Sequence, residues 1–168
     1  MGNKIKYLLA IVFFPVAIIF LLIRKICKII KTKTLRQYLS SISLDNIDSL
    51  DGVEFEELLE AVFVAKGYRV TKTKKSYDYG ADLLIQKNDI IIAVQCKLYY
   101  KHSVGNSAVQ EASSAKDYYN ANFAVVITNS KFSKPAQILA EKIGVELIDR
   151  YKLNSLIKDD QYDLKLYI

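Results

Sequence analysis

Two cysteines and one histidine are all that 168 residues offer for disulfide or imidazole chemistry. Two cysteines exclude a disulfide-built scaffold. Cys27 lies among basic and apolar residues, a setting that indicates reversible acylation only weakly. Cys96 lies in an apolar strand pattern and reads as a small buried hydrophobe. The single histidine, His102, falls in a loop. No internal repeat and no low-complexity segment is present, which excludes solenoids and arrays. Acids are absent from residues 1–36, which hold eight Lys and Arg. Removing those eight from the 24 basic residues leaves 16 against 18 acids, so residues 37–168 carry a formal charge of −2. The whole-chain charge of +6 is therefore no argument for nucleic-acid binding. It belongs to the N-terminus.

No charge interrupts Tyr7–Ile23, an apolar run of 17 residues. As a helix it spans roughly 26 Å, close to the roughly 30 Å of a bilayer core. Lys6 and Arg24 flank it and can reach the interfaces, and Pro15 is tolerated in a membrane span. No small-x-small cleavage site follows, which disfavours a removed signal peptide. With no polar face it does not read as a core helix of a soluble protein either. Two Lys precede the run and six basic residues follow it, so the charge bias places the C-terminal part in the cytoplasm. The expectation is a single-pass protein of the inner (cytoplasmic) membrane. Residues 1–36 form the anchor and a basic juxtamembrane segment along the anionic headgroups. Residues 37–50 read as a linker, 51–158 as the folded domain and 159–168 as a tail.

Within the domain, Asp51 with Glu54 resembles a capping box. Phe55, Leu58, Leu59, Val62 and Phe63 follow at helical spacing, and Gly67 suits the helix end. Glu56 flanks that apolar stripe rather than opposing it. Tyr68–Thr73 reads as a strand, and Ala81–Lys87 and Ile90–Lys97 as two more. Ala108–Tyr119 reads as a helix, Phe123–Asn129 as a strand buried on both faces, Ser133–Ile143 as a helix, Val145–Asp149 as a strand and Lys152–Lys158 as a closing helix. The order α-β-β-β-α-β-α-β-α describes an α/β fold, a mixed sheet with helices on both faces.

Asn88-Asp89 between the two apolar strands reads as a two-residue hairpin turn. Position 87 then faces 90, and Asp82 faces Gln95 across the pair. Lys97, two residues beyond Gln95, points to the same face. A carboxylate, an amide and an ammonium thus converge at one end of a hairpin that is otherwise nearly all apolar. Taken singly, each could be a solvated residue at a strand end.

The chain from about Gly52 to Leu156 resembles the catalytic domain of Mrr-type (type IV) restriction endonucleases, within the PD-(D/E)xK nuclease superfamily. The matching residues are Phe55-Glu56, Gly67-Tyr68, Asp78-x-Gly80-x-Asp82, Val94-Gln95-Cys96-Lys97 and Val109-Gln110. Thr128-Asn129 with Phe132, Ala136 and Leu147-Ile148-Asp149 continue the pattern in order. Gln95 stands where Asp or Glu is commoner in the superfamily, giving the Q-x-K form.

The resemblance implies a restriction-endonuclease-like fold and metal-dependent hydrolysis of DNA phosphodiesters, with Mg²⁺ as cofactor and Mn²⁺ as an alternative. It implies Asp82, Gln95 and the Cys96 backbone carbonyl as metal ligands, and Lys97 as the group that orients or deprotonates water. Glu56 would hold a water from the helix side. Gln110 and Asp78 would position substrate, and Lys72, Lys74, Lys75 and Lys101 are candidate phosphate contacts. DNA and the lipid bilayer are the expected partners, and a homodimer is left open. The rival reading is a catalytically degenerate nuclease fold, serving as a DNA-binding or assembly module at the membrane. A tethered interaction domain without nucleic acid is a third.

Overall fold

The computed structural model describes residues 2–73 and 79–164, with side chains from residue 18 onward apart from Lys28. The chain divides into two units, Met1–Gln37 and Tyr38–Ile168. Helix α1 (Gly2–Ser41) runs through the first. The expected membrane span Tyr7–Ile23 falls largely on residues 7–17, whose side chains lie outside the described set. Among the described residues no helix is long and apolar enough to cross a membrane. The first unit does display Ile18–Ile23, Ile26, Ile29 and Ile30, each between 41 and 62 % exposed.

In the second unit the elements are α2 (Leu44–Asp48), α3 (Gly52–Ala65), β1 (Arg69–Lys72), β2 (Leu83–Lys87), β3 (Ile90–Lys97), α4 (Asn106–Tyr118), β4 (Phe123–Thr128), α5 (Lys134–Ile143), β5 (Val145–Ile148) and α6 (Arg150–Lys158). From α3 onward this is the expected order. The five strands lie side by side in sequence order. β1, β2 and β3 pair antiparallel, while β3, β4 and β5 pair parallel. The sheet is therefore mixed, and β3 is its pivot.

The register is the one the turn requires. Lys87 pairs with Ile90 and Leu83 with Val94, and Asn88 takes a positive φ of 55° that a tight turn of this kind demands. Side-chain alternation then sorts the strands into two faces. Ala93 packs with Ala115 of α4 on one face, beside Ala124 and Val126 with α4 and α5. The other face presents Leu83, Ile85, Ile92, Val94, Val125 and Ile127, all fully buried; α3 lies against β1–β3 there, and α6 against β4 and β5.

Local signals hold the helices in place. Asp51 accepts the Glu54 N–H at 2.8 Å while Glu54 accepts the Asp51 N–H at 2.8 Å, the reciprocal box that starts α3. Asp149 accepts the N–H groups of Tyr151 and Lys152, which starts α6 two residues earlier than its apolar pattern suggests. The stretch expected as a linker contains the end of α1 and all of α2, and it buries Leu39 and Ile47. The expected tail is also docked as far as it is described. Asp163 accepts the Tyr68 hydroxyl at 2.8 Å and pairs with Lys87 at 2.9 Å.

Candidate active site

β2 begins and β3 ends at the same end of the sheet, because the two run antiparallel. Asp82 stands one residue before β2, with its backbone fixed from both sides. Its N–H donates to the Val94 carbonyl at 2.9 Å, and its own carbonyl accepts the Thr73 N–H at 3.0 Å. The carboxylate turns toward β3. Oδ2 accepts the Gln95 Nε2 at 2.8 Å and the Cys96 N–H at 2.6 Å. The hairpin register thus delivers the Asp82–Gln95 contact that the sequence suggested.

Gln95 is 4 % exposed. Since the Asp82 oxygen can only accept, the amide must turn its NH₂ toward it. That leaves Oε1 buried with no hydrogen-bond partner among the described residues. An unpaired buried acceptor costs about 1–3 kcal/mol, and such groups mark functional positions or sites for water or an ion. A buried amide oxygen on a side chain that bonds a carboxylate matches the all-oxygen ligand preference of Mg²⁺. The donor set therefore fits a hard divalent cation. Among the described residues no group of three or more His, Cys, Asp or Glu could hold a metal.

Lys97 lies on the same face as Gln95. Its ammonium meets the Glu111 carboxylate at 2.7 Å, with the two side chains 24 % and 42 % exposed. Glu111 was not singled out from the sequence. It sits on α4, beside Gln110, and is brought to Lys97 by a close approach of chain segments. Gly80, at φ +91°, lies so near the backbone of Glu111 that an added Cβ would stand 2.7 Å from its carbonyl carbon. Tyr79, also left-handed at φ 49°, stacks on Tyr118 of the same helix with centroids 3.7 Å apart. The residues leading into Asp82 are thus laid flat on α4. The only sequence clue to Glu111 was its place directly after Gln110.

Cys96, the residue between, points to the opposite face. It is partly buried and still paired in the sheet, opposite Ile127 of β4. Its thiol is pushed well above the usual range, first by desolvation and then by the carboxylates of Asp82 and Glu56, with Lys97 opposing. The same influences place Glu56, half-buried on α3, within electrostatic reach of the site from the other face.

The remaining candidates scatter. Gln110 is exposed on α4. Lys72 lies 3.1 Å from Glu60 and 3.4 Å from Glu57 of α3, which compensate its charge. Lys101 is exposed in the loop after β3, at a positive φ of 63°. Lys74, Lys75 and Asp78 lie outside the described residues.

A model of the protein family Mrr_cat, described as restriction endonuclease, matches residues 47–157. No curated protein matches the chain. Among solved structures, the DNA modification-dependent restriction endonuclease AspBHI is 19 % identical with a TM-score of 0.57, covering 74 % of this chain and 35 % of its own. A protein of unknown function, AF1548, is 14 % identical with a TM-score of 0.50, covering 56 % of this chain and 55 % of its own. MspJI restriction endonuclease, solved in complex with a 27-mer oligonucleotide, is 19 % identical with a TM-score of 0.47, covering 78 % and 31 %. This chain thus spans about half of AF1548 and about a third of each endonuclease.

Proposed function

The chain belongs to the Mrr_cat restriction endonuclease family, and from that premise we propose that it is a metal-dependent DNA endonuclease held at the membrane. The observation that carries the reading is the buried, unpartnered Oε1 of Gln95, whose Nε2 bonds the Asp82 carboxylate, at the strand end that also bears Lys97. Asp82, Gln95 Oε1 and the Cys96 carbonyl would hold Mg²⁺, or Mn²⁺ in its place. A divalent ion there supplies Lewis acidity toward a phosphoryl oxygen and orients water for attack.

The chain's own residues do the rest. Lys97, held as an ammonium, orients the attacking water and compensates the charge that grows at phosphorus. Glu111 fixes the ammonium in place for that task. Glu56 steadies a water from the α3 side. Asp78 and Gln110 position substrate, while Lys74, Lys75 and Lys101 meet phosphates and Lys72 does so only by leaving Glu57 and Glu60.

The anchor is part of the same reading. Tyr7–Ile23 crosses the inner membrane once, with the second unit in the cytoplasm. The nine exposed apolar side chains between Ile18 and Ile30 support it, since so continuous an apolar surface calls for lipid or protein cover. The protein should stay with membranes in high salt and leave them in detergent; release by salt alone overturns the anchor.

The test of activity is a nuclease assay of the full chain in detergent, with Mg²⁺, Mn²⁺ or EDTA, on methylated and unmethylated plasmid. Cleavage should require metal and vanish in Lys97→Ala. No cleavage of either plasmid with either metal, or equal cleavage by the Lys97 variant, refutes the proposal.

A further inference from the structure

Past Lys97 the chain enters a second built feature at the same end of the sheet. A cavity of about 450 Å³ lies at the C-terminal ends of β3 and β4, where β3 runs on into Tyr99, Tyr100 and Lys101. Its floor is rigid. Asn129, 3 % exposed, holds Tyr99 as a further strand would. Its Oδ1 accepts the Tyr99 N–H at 2.9 Å and its Nδ2 donates to the Tyr99 carbonyl at 3.2 Å. Nδ2 also donates to Asp48 Oδ1 at 2.9 Å, and Arg150 Nη1 donates to the same oxygen at 2.6 Å and to the Asn129 carbonyl at 3.0 Å.

The walls are of another kind. Tyr99, Tyr100 and Tyr151 line the cavity at 36, 70 and 81 % exposure. Lys101 and Lys131 line it as well, both exposed. With Arg150 and Asp48 the cavity carries a formal +2, against −2 for residues 37–168 as a whole. Three cations of an otherwise acidic unit thus stand beside exposed tyrosines. Lys101 holds a left-handed backbone there, a strained conformation that clusters at ligand sites.

We propose that this cavity binds an unpaired nucleotide of the DNA strand engaged at Asp82, Gln95 and Lys97. Exposed tyrosine faces stack on bases without regard to sequence, and lysines beside them take the phosphates. A base inside a duplex offers no free face, so the nucleotide must come from a frayed end, a gap or a junction. The inference rests on the nuclease reading for its substrate, and it names the feature of DNA preferred.

The test is fluorescence anisotropy of the full chain in detergent and EDTA, with labelled dT12 and with a blunt 12-base-pair duplex. Wild type should bind dT12 more tightly than the duplex. The double variant Tyr100→Ala, Tyr151→Ala should lose at least about fivefold in dT12 affinity with duplex affinity unchanged, and the double Phe variant should retain it. An Ala variant that binds dT12 like wild type overturns the proposal, as does equal loss on both ligands. Free dTMP competing as well as dT12 overturns the assignment to a DNA strand. Plasmid cleavage with Mg²⁺ separates the two readings. A wild type that cuts but ignores dT12 sinks the cavity alone, whereas tyrosine-dependent dT12 binding without cleavage sinks the nuclease and leaves the cavity.

Discussion

Gly80→Ala is the sharpest perturbation the site allows. At φ +91° a side chain is already strained, by about 1–2 kcal/mol. The methyl carbon would also stand 2.7 Å from the Glu111 carbonyl carbon and 2.9 Å from its Cα, and nearer still to its carbonyl oxygen. Carbon atoms rest at about 3.5–4.0 Å, so the loop must retreat from α4 by about 1 Å. The obstacle is backbone, not the end of a flexible side chain, and α4 is fixed by the buried Ala108, Val109, Ala112 and Ala115. The retreat therefore falls on the segment that leads into Asp82. A displacement of about 1 Å at a reacting group costs on the order of 100-fold in rate. Stability should fall by about 1–3 kcal/mol, leaving the domain folded. Single-turnover cleavage and urea unfolding, measured side by side, check both numbers. A variant that cuts at the wild-type rate would show that the packing of Gly80 on Glu111 does not set the position of Asp82.

Three further outcomes are expected. Glu111→Gln should lower kcat about tenfold with KM unchanged, because Lys97 loses its tether but not its charge; an unchanged kcat refutes the positioning role. Gln95→Glu should lower the Mg²⁺ concentration at half-maximal activity and Gln95→Ala should raise it, while one midpoint for all three proteins shows that this residue is no ligand. Asp48 is held below its usual value of 3.8, first by its hydrogen bond from Arg150. The folded state therefore binds fewer protons there, and the stabilisation is present above that value and lost as pH falls below it. Urea unfolding should find Asp48→Asn less stable than wild type at pH 7, with the gap narrowing as pH falls below 3.8; a gap of equal size above and below that value refutes the linkage.

The hairpin was legible because its register is a local matter. Asn88-Asp89 sets the pairing, and the pairing sets Asp82 against Gln95. The capping box of α3 was legible for the same reason, three residues apart. Glu111 was not, since a partly exposed helical Glu has no pattern of its own. Its meeting with Lys97 follows from the packing of α4 on the sheet, against which Gly80 lies in close contact. The Asp48 network was hidden by distance along the chain, with 81 residues to Asn129 and 102 to Arg150. That distance also concealed the role of residues 37–50. Read as a linker, they contribute Asp48 to the floor of the cavity beside the site.

The charges of the site explain why these parts belong together. Around Lys97 stand the carboxylates of Asp82, Glu56 and Glu111, a formal −2 in sum. A phosphodiester brought there adds one more negative charge, and the pairing of Lys97 with Glu111 leaves little to receive it. On the proposed reading a divalent cation at Asp82 and Gln95 brings the protein groups to neutrality, and the DNA is then attracted by what lies around the site. The cations nearest along β3 are those of the tyrosine-lined cavity, not those of the acidic sheet edge at Lys72. On that reading the DNA strand would be held two residues beyond Lys97, and the acidic centre would not need to hold it by itself. Salt should accordingly weaken dT12 binding in EDTA through Lys101 and Lys131, while the Asp82→Ala variant, which removes a negative charge beside the phosphates, binds DNA no worse than wild type.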